Sequence, residues 1–217
     1  MSPRVVTVVL AAGVGKRLGG PKALLAWPVG SPGAPRPPTG AGPDRPLAIA
    51  HAEERLAAES RRVLVVTRPP VVKVLLGHVR PGIDLLSSDA ADDLGPAGSL
   101  AFALPRLGEV DVVIVTPVDT PPARAATVAR LLAALAADPA LLAARPVCHG
   151  RAGHPVALRL AALHRYAEPQ PPPLRDHLHA LGAACAAVDV ADPTVLIDLN
   201  TPADVMGTLQ VLPRFFK

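Results

Sequence analysis

The chain has 217 residues, half of them hydrophobic and 18% charged, with a formal net charge of +4. This length fits one compact domain, and the apolar content excludes a chain that is disordered throughout. Aromatic residues make up only 2% of the chain and the basic residues are scattered, so we expect no nucleic-acid surface that stacks bases on aromatic side chains.

Short runs of Val, Ile and Leu alternate with segments of helical periodicity. Strands are predicted over residues 4–10, 62–67, 83–86, 111–116, 156–160, 184–190 and 195–198. Helices are predicted over residues 46–60, 69–78, 99–107, 121–137, 174–181 and 201–212. Because strands that alternate with helices form right-handed βαβ units, the sequence predicts an α/β fold in which a mostly parallel, Rossmann-like sheet lies between two helical layers. This three-layer αβα arrangement is predicted for one domain, residues 1–217.

Residues 28–46 are rich in Pro and Gly and lack apolar periodicity, so they cannot contribute to a core. We interpret them as a surface insertion within the domain. Because the segment directly follows a Gly-rich loop, it is either inert or a lid over a site.

The Gly-rich loop follows the first predicted strand, and residues 10–22 read LAAGVGKRLGGPK. Glycines let backbone N–H groups wrap around an anion, while Lys16, Arg17 and Lys22 supply positive charge. The loop is not a P-loop, because Gly15-Lys16 is followed by Arg17 rather than Ser or Thr. Its GxGxxxG spacing also departs from the dinucleotide-binding fingerprint. The sequence therefore indicates a phosphate-binding loop of another type.

This loop resembles the signature LxAGxGxRxGxxK of nucleotidyltransferases with the nucleotide-diphospho-sugar transferase fold. The matching residues are Leu10, Ala12, Gly13, Gly15, Arg17, Gly19 and Lys22. Within that fold, the chain is most similar to the molybdenum cofactor cytidylyltransferases and guanylyltransferases. Four later stretches match that group in order: GPAGSL at 95–100, VTPVDTPP at 115–122, GRAGHPV at 150–156 and DLNTPAD at 198–204.

The resemblance implies roles for individual residues. The residues implied to bind the nucleotide are Leu10, Ala11, Ala12, Gly13, Gly15, Lys16, Arg17, Lys22, Gly98 and Ser99. Arg17, Lys22 and Asp119 are implied to be catalytic, and Asp119 and Asn200 to bind Mg²⁺. The residues implied on the acceptor side are Gly153, His154, Pro155 and Asp198. Asn200 stands where the family motif has a second Asp, which removes one charge from the metal site.

The activity implied is transfer of a nucleoside monophosphate from a nucleoside triphosphate to a phosphorylated acceptor such as molybdopterin, with release of pyrophosphate. Ala11-Ala12 and the GHPV stretch favour CTP as the donor, whereas GPAG and Asn200-Thr201-Pro202 favour GTP. A sugar-1-phosphate nucleotidyltransferase is a further alternative. In another functional class, the chain would be a non-catalytic module that binds the nucleotide or cofactor and delivers it to a molybdoenzyme partner.

The remaining features say little about function. Cys148 and Cys185 have no metal-binding spacing and cannot form a disulfide framework, so we expect a reducing, cytoplasmic location. No apolar run reaches the ~20 residues of a membrane span, and we expect no membrane association. Arg175 and Asp176 are interpreted as a surface ion pair, with a place in the acceptor pocket as the alternative.

Overall fold

The chain folds around one mixed β-sheet with helices on both faces. The structure is a computed structural model that describes residues 3–28, 44–88 and 91–217, with the side chains of residues 91–94 excepted. The described strands are β1 (Val5–Leu10), β2 (Ala26–Trp27), β3 (Arg45–Pro46), β4 (Arg62–Thr67), β5 (Ile83–Ser87), β6 (Val112–Pro117), β7 (Ala143–Cys148), β8 (Arg151–Ala152), β9 (Val156–Arg159) and β10 (Cys185–Asp189). The described α-helices are α1 (Leu47–Ala58), α2 (Pro69–Leu75), α3 (Ala91–Ala103), α4 (Ala125–Ala137), α5 (Leu174–Ala180) and α6 (Pro202–Leu209).

The main sheet has the strand order β10-β7-β9-β6-β1-β4-β5, and β8, which lies off this path, pairs with β7. Strands β6, β1, β4 and β5 pair in parallel, as do β7 and β10. Strand β9 is antiparallel to both of its neighbours, β6 and β7. The carboxyl ends of β1 and β6 therefore lie side by side at one edge of the sheet, where parallel α/β sheets bind their ligands.

Alternate residues of the strands face two helical layers. Val9, Val63 and Val65 belong to a core cluster that contains residues of α1. On the same face of the sheet, Ile114 belongs to a cluster that contains residues of α4. Val8 lies in the core on the opposite face, with residues of α3 and α5. The three-layer αβα prediction is confirmed. Its core consists mainly of Val, Leu, Ile and Ala, as the low aromatic content required.

Several predicted boundaries are corrected by the structure. The strand predicted at 195–198 is wrong: Pro193–Leu196 forms a 3-10 helix, which the Asp192 side chain caps by accepting a hydrogen bond from the backbone N–H of Thr194. The helix predicted over 201–212 ends at Leu209, because Gln210 is left-handed with φ 57°. The helix predicted over 99–107 is α3, which is interrupted at Gly95 and ends at Ala103.

Strand β7 has no counterpart among the predicted strands. Pro146 lies inside it, and Pro normally argues against a central strand because it lacks a backbone donor. The Pro-rich segment is described only at its ends, where Ala26 pairs with Pro46 and Trp27 with Arg45. Residues 29–43 lie outside the described residues, and so does most of the predicted insertion. Within the described ranges, no helix has both the length and the apolar character to cross a membrane.

Candidate functional site

A cleft runs across the carboxyl ends of β1 and β6 and consists of three adjoining cavities that share Leu10 and Pro96. The first, here named the glycine cavity, has a volume of about 250 Å³ and is lined by Ala12, Gly13, Gly95 and Ser99 among others. The second, the lysine cavity, has about 330 Å³ and is lined by Lys16, Arg17, Lys22, Asp119 and Asn200 among others. The third, the arginine cavity, has about 560 Å³ and is lined by Arg145, Gly153, His154, Arg175 and Asp198 among others.

The structure brings most of the predicted site residues to this cleft. Those that line it are Leu10, Ala12, Gly13, Gly15, Lys16, Arg17, Lys22, Ser99, Asp119, Gly153, His154, Asp198 and Asn200. Ala11, Gly98 and Pro155 are buried and do not line these cavities. The Ser99 hydroxyl is buried and donates to the Gly95 carbonyl at 3.4 Å.

Backbone hydrogen bonds fix the Gly-rich loop at its start and in its turn. The Ala11 N–H donates to the Val66 carbonyl at 2.8 Å, which extends the β1–β4 pairing by one residue. Further along, the N–H groups of Leu18 and Gly19 donate to the Gly15 carbonyl at 2.9 and 3.1 Å. Gly15 itself has φ +66°, and a Cβ there would lie 1.9 Å from the Gly20 carbonyl oxygen. Only glycine fits this position.

Replacing Gly15 by Ala should lower the free energy of unfolding by about 2–3 kcal/mol, because the left-handed backbone and the Gly20 carbonyl both oppose a Cβ. Gly13→Ala is the matched variant, since a Cβ at Gly13 meets no protein atom within 4 Å. It should leave stability almost unchanged and weaken nucleotide binding, because the methyl group enters the cleft. Urea unfolding and nucleotide titration measure the two effects. Equal stability of the two variants would contradict the structural role of Gly15.

Lys22 joins two other predicted site residues in the lysine cavity. Its Nζ donates to Asp119 Oδ2 at 3.0 Å and to Asn200 Oδ1 at 2.7 Å. The side chains of Lys22 and Asp119 are 13% and 33% exposed, so the ion pair is partly withdrawn from water. The oxygens of Asp119 and Asn200, far apart in the chain, thus converge on one cation.

The two side-chain oxygens that accept from Lys22 suit a hard cation. Within residues 3–28, 44–88 and 91–217, no three or more His, Cys, Asp or Glu side chains form a group that could hold a metal ion. Mg²⁺, however, is commonly held by one or two carboxylates together with substrate phosphates and water. Asp119 Oδ2 and Asn200 Oδ1 already share one positively charged ligand, the Lys22 ammonium. These two oxygens therefore fit Mg²⁺ when phosphate oxygens complete the coordination.

The turn that carries Asp119 is held by its backbone. The Val118 N–H donates to the Leu10 carbonyl at 3.0 Å, and the Leu199 N–H donates to the Asp119 carbonyl at 2.6 Å. The second bond joins the turn to the segment that carries Asn200. The start of α6 positions Asn200, because the backbone N–H groups of Asn200 and Thr201 both donate to Asp204 Oδ2. Hydrogen bonds, first of all from Thr201, lower the pKa of the Asp204 carboxyl.

Two buried side chains of α1, His51 and Arg55, donate hydrogen bonds to backbone carbonyls of the segment that follows Asp119. His51 Nε2 donates to the Thr120 carbonyl at 2.8 Å, and Arg55 Nη2 donates to the Ala123 carbonyl at 2.5 Å. Sequence reasoning missed both residues. The available signal was a His and an Arg at i, i+4 spacing on the apolar face of a predicted helix, where charged residues are rarely found without a partner.

His51 should make stability depend on pH. Burial lowers the pKa of its imidazole to about 4, well below the unfolded value of 6.5, so the unfolded chain binds a proton in this range that the folded protein does not. The His51 contribution is present above pH 6.5 and is lost as the pH falls towards 4, by up to about 3 kcal/mol. His51→Gln keeps a donor near the Nε2 position and should flatten this slope in unfolding titrations. An unchanged slope would assign the pH dependence to other groups.

The arginine cavity contains the predicted acceptor-side residues. A Cβ at Gly153 would lie 2.1 Å from the Val195 carbonyl oxygen, and the His154 N–H donates to that same oxygen at 3.0 Å. The His154–Pro155 peptide bond is cis. Burial lowers the pKa of the His154 imidazole, although the carboxylates of Asp119 and Asp198 act in the opposite direction.

Arg145 of β7 and Arg175 of α5 also line the arginine cavity. Sequence reasoning missed Arg145 together with its strand. The expected surface ion pair between Arg175 and Asp176 is wrong: in the described part of the chain, Arg175 is exposed at the cavity and forms no ion pair with Asp176.

Three comparisons relate the chain to known proteins. The family model described as "MobA-like NTP transferase domain" matches residues 7–188. A molybdenum cofactor guanylyltransferase of Shewanella loihica is 25% identical over 93% of this chain and 94% of that protein. Among solved structures, a homologue of Mycobacterium tuberculosis Rv0371c from Mycobacterium sp. strain JC1 has TM-score 0.71 and 24% identity, covering 97% of both chains. The 2-C-methyl-D-erythritol 4-phosphate cytidylyltransferase of Thermus thermophilus has TM-score 0.63 and 22% identity, covering 96% of this chain and 97% of that one.

Proposed function

Because the chain belongs to the MobA-like NTP transferase family, we propose that it transfers a nucleoside monophosphate from a nucleoside triphosphate, preferably CTP, to the phosphate of molybdopterin. The observation that carries the proposal is the bridge from Lys22 to Asp119 and Asn200. It places a cation and two oxygen ligands between a Gly-rich loop and a separate, larger cavity. This order suits a triphosphate bound at the Gly-rich loop and an acceptor bound in the larger cavity.

The proposed reaction is a direct displacement at the α-phosphorus. An oxygen of the acceptor phosphate forms the new P–O bond while the bond from the α-phosphorus to the bridging oxygen breaks. Pyrophosphate leaves with that bonding electron pair. Backbone N–H groups of the Gly-rich loop, with Arg17, hold the β- and γ-phosphates, and Lys22 neutralises charge at the α-phosphate. No covalent intermediate with the protein is required.

Asp119 and Asn200 are the proposed ligands of Mg²⁺. When bound, the ion neutralises phosphate charge and orients the triphosphate. The Leu199 N–H donates to the Asp119 carbonyl and so joins the two segments that carry these side chains, whose oxygens both accept from Lys22 Nζ. Lys22 must release them for the ion and can then turn to the substrate phosphate.

The choice between CTP and GTP as the nucleotide donor depends on a few residues. Ala11-Ala12 before Gly13 and the GHPV stretch favour CTP, and we propose that the base binds in the glycine cavity, which Ala12 and Ser99 line. GTP is the second candidate, because the similar protein of Shewanella loihica is a guanylyltransferase. We propose a molybdoenzyme as the partner that receives the product, and the cytoplasm as the location.

Pyrophosphate release tests the proposal directly. The protein is incubated with Mg²⁺, molybdopterin and each of the common nucleoside triphosphates in turn, with reactions lacking molybdopterin as controls. We expect release that requires molybdopterin and is fastest with CTP. Faster release with GTP would replace the base assignment and retain the transferase. Nucleotide binding without turnover for any triphosphate would favour the non-catalytic delivery module instead.

A further inference from the structure

The turn of the Gly-rich loop is held at the cleft by packing rather than by hydrogen bonds. Among the described residues, residues 13–20 form hydrogen bonds only with one another, from the N–H groups of Leu18 and Gly19 to the Gly15 carbonyl. These bonds fix the shape of the turn, but they do not join it to the rest of the protein. The attachment of the turn therefore depends on packing, to which its own buried Leu18 contributes.

A second packing contact comes from Phe215. A Cβ added to Gly20 would lie 3.0–3.1 Å from three atoms of the Phe215 ring, so the ring lies directly against the Gly20 Cα. The Gly20 carbonyl oxygen in turn lies 1.9 Å from the position of a Cβ on Gly15. Gly20 thus connects the Phe215 ring to the left-handed residue around which the loop turns. If the ring moves away from Gly20, the turn loses this support.

Backbone pairing fixes Phe215 in this position. Residues 214–216 run antiparallel to residues 24–26, with a β-bridge between Leu25 and Phe215. Two backbone hydrogen bonds of 2.7 and 2.9 Å flank the bridge. The paired stretch overlaps the 3-10 helix that begins at Lys22. Residues 214–216 are therefore attached to the same short segment of chain that carries the lysine of the site.

The next residue, Phe216, packs elsewhere. Its ring meets the ring of His78 edge to face, with the ring centroids 4.9 Å apart and an interplanar angle of 78°. Both phenylalanines are partly buried against the same core cluster. They lie outside residues 7–188, the range that the family model matches. The contact between Phe215 and the loop is thus a feature that the family match does not cover, and Phe216 is its natural comparison.

We propose that Phe215 is a positioning residue for the triphosphate: its ring holds the Gly-rich turn in the conformation in which the loop binds the β- and γ-phosphates. Without the ring, Gly20 and the turn gain conformational freedom, and a triphosphate must order them again when it binds, which weakens binding. The acceptor is proposed to bind in the arginine cavity, which none of residues 11–20 lines, so its binding should not depend on Phe215. This proposal rests on the proposed function, because it assumes that the Gly-rich loop receives the triphosphate.

A binding experiment that needs no turnover tests the proposal. Inorganic tripolyphosphate is the probe, because it carries the phosphates without a base or an acceptor, and isothermal titration calorimetry measures its affinity. Phe215→Ala should bind tripolyphosphate about tenfold more weakly than the wild type. Phe216→Ala is the matched control, since it removes the same ring from the neighbouring position, and it should retain wild-type affinity. Wild-type affinity in Phe215→Ala, or an equal loss in both variants, overturns the proposal.

A second variant tests the contact itself and leaves Phe215 in place. Gly20→Ala puts a Cβ against the ring and should weaken tripolyphosphate binding about threefold or more, because the ring or the turn has to move. In the double variant, Gly20→Ala with Phe215→Ala, the added Cβ no longer meets the ring. The loss should then be no larger than that of Phe215→Ala alone. No loss in Gly20→Ala, or additive losses in the double variant, would contradict the positioning role.

Kinetics separate this proposal from the proposed function. If pyrophosphate release is observed, Phe215→Ala should raise the KM of the nucleoside triphosphate about tenfold and leave the KM of molybdopterin unchanged. An unchanged nucleotide KM would exclude Phe215 as a positioning residue. Tripolyphosphate binding that weakens in Phe215→Ala, together with no pyrophosphate release by the wild type for any nucleotide, would instead overturn the proposed function alone.

Discussion

Asp119→Asn should lower kcat for pyrophosphate release by about 10²–10³. The substitution removes the only carboxylate that contacts Lys22 among the described residues, and with it the negative ligand proposed for Mg²⁺. Asn has almost the same size as Asp, and the turn is held by backbone groups rather than by this side chain. We therefore expect the variant to be folded, to bind the nucleotide weakly in the presence of Mg²⁺, and to be nearly inactive.

The controls separate loss of charge from loss of structure. Asp189→Asn removes a carboxylate at the exposed end of β10, outside the cleft, and should retain wild-type activity. Thermal unfolding should give Asp119→Asn a Tm within a few degrees of the wild type, because a single ion pair of which one partner is one-third exposed contributes on the order of 1 kcal/mol. An Asp119→Asn protein with wild-type kcat would exclude Asp119 as the metal ligand.

The position of the site could be predicted from sequence because its residues occupy the ends of strands. Strands β1 and β6 are short apolar runs, and the Gly-rich loop and Asp119 follow them directly. Once the sheet is known to be parallel, these two segments must lie at the same edge. The start of α6 could also be predicted, because Thr201 is a typical N-cap and Pro202 a typical first helical residue; in the structure Thr201 and Asp204 form a capping box that follows Asn200.

The support beneath the site could not be predicted in the same way. His51 and Arg55 act on the carbonyl groups of Thr120 and Ala123, and nothing in their own helix indicates which loop will cover them. The contact exists only after α1 has packed beside β1, with the turn that follows β6 folded over it. Long-range hydrogen bonds from a buried side chain to a backbone carbonyl produce no residue spacing by which the sequence would reveal them.

Arg145 was missed for a different reason, which is local. The run Ala143–Cys148 contains Arg145 and Pro146 in adjacent positions, and both argue against a buried strand. The structure accommodates Pro146 because β7 pairs with β9 only at Ala143 and Ala144 and with β8 only at Val147 and Cys148, so the ladder on that side is interrupted where the Pro N–H is missing. It accommodates Arg145 because a cavity lies in front of the strand. Of these two residues, Arg145 lines the arginine cavity, and the Pro146 carbonyl holds Gly153, which also lines it. Departures from local propensity concentrate at functional sites for this reason.

Lys22→Met should change catalysis and metal affinity in opposite directions. In the nucleotide-free protein, the Lys22 ammonium lies against Asp119 Oδ2 and Asn200 Oδ1, the oxygens proposed to bind Mg²⁺. A divalent ion must displace the ammonium, and the two positive charges repel each other at this distance. Without the ammonium, both oxygens are free for the ion. Metal binding to the nucleotide-free variant should therefore be tighter, by at least about tenfold.

Turnover should nevertheless fall in Lys22→Met, by about 10²–10³ in kcat, because the variant lacks the charge that we propose to neutralise the α-phosphate. Mn²⁺ titration followed by electron paramagnetic resonance measures metal affinity, and pyrophosphate release measures kcat. Lys73→Met is the matched control, since Lys73 is an exposed lysine of α2 outside the cleft and its loss should change neither quantity. Weaker Mn²⁺ binding in Lys22→Met would mean that Asp119 and Asn200 are not the metal ligands, because removal of a competing cation can only favour an ion bound at the same oxygens.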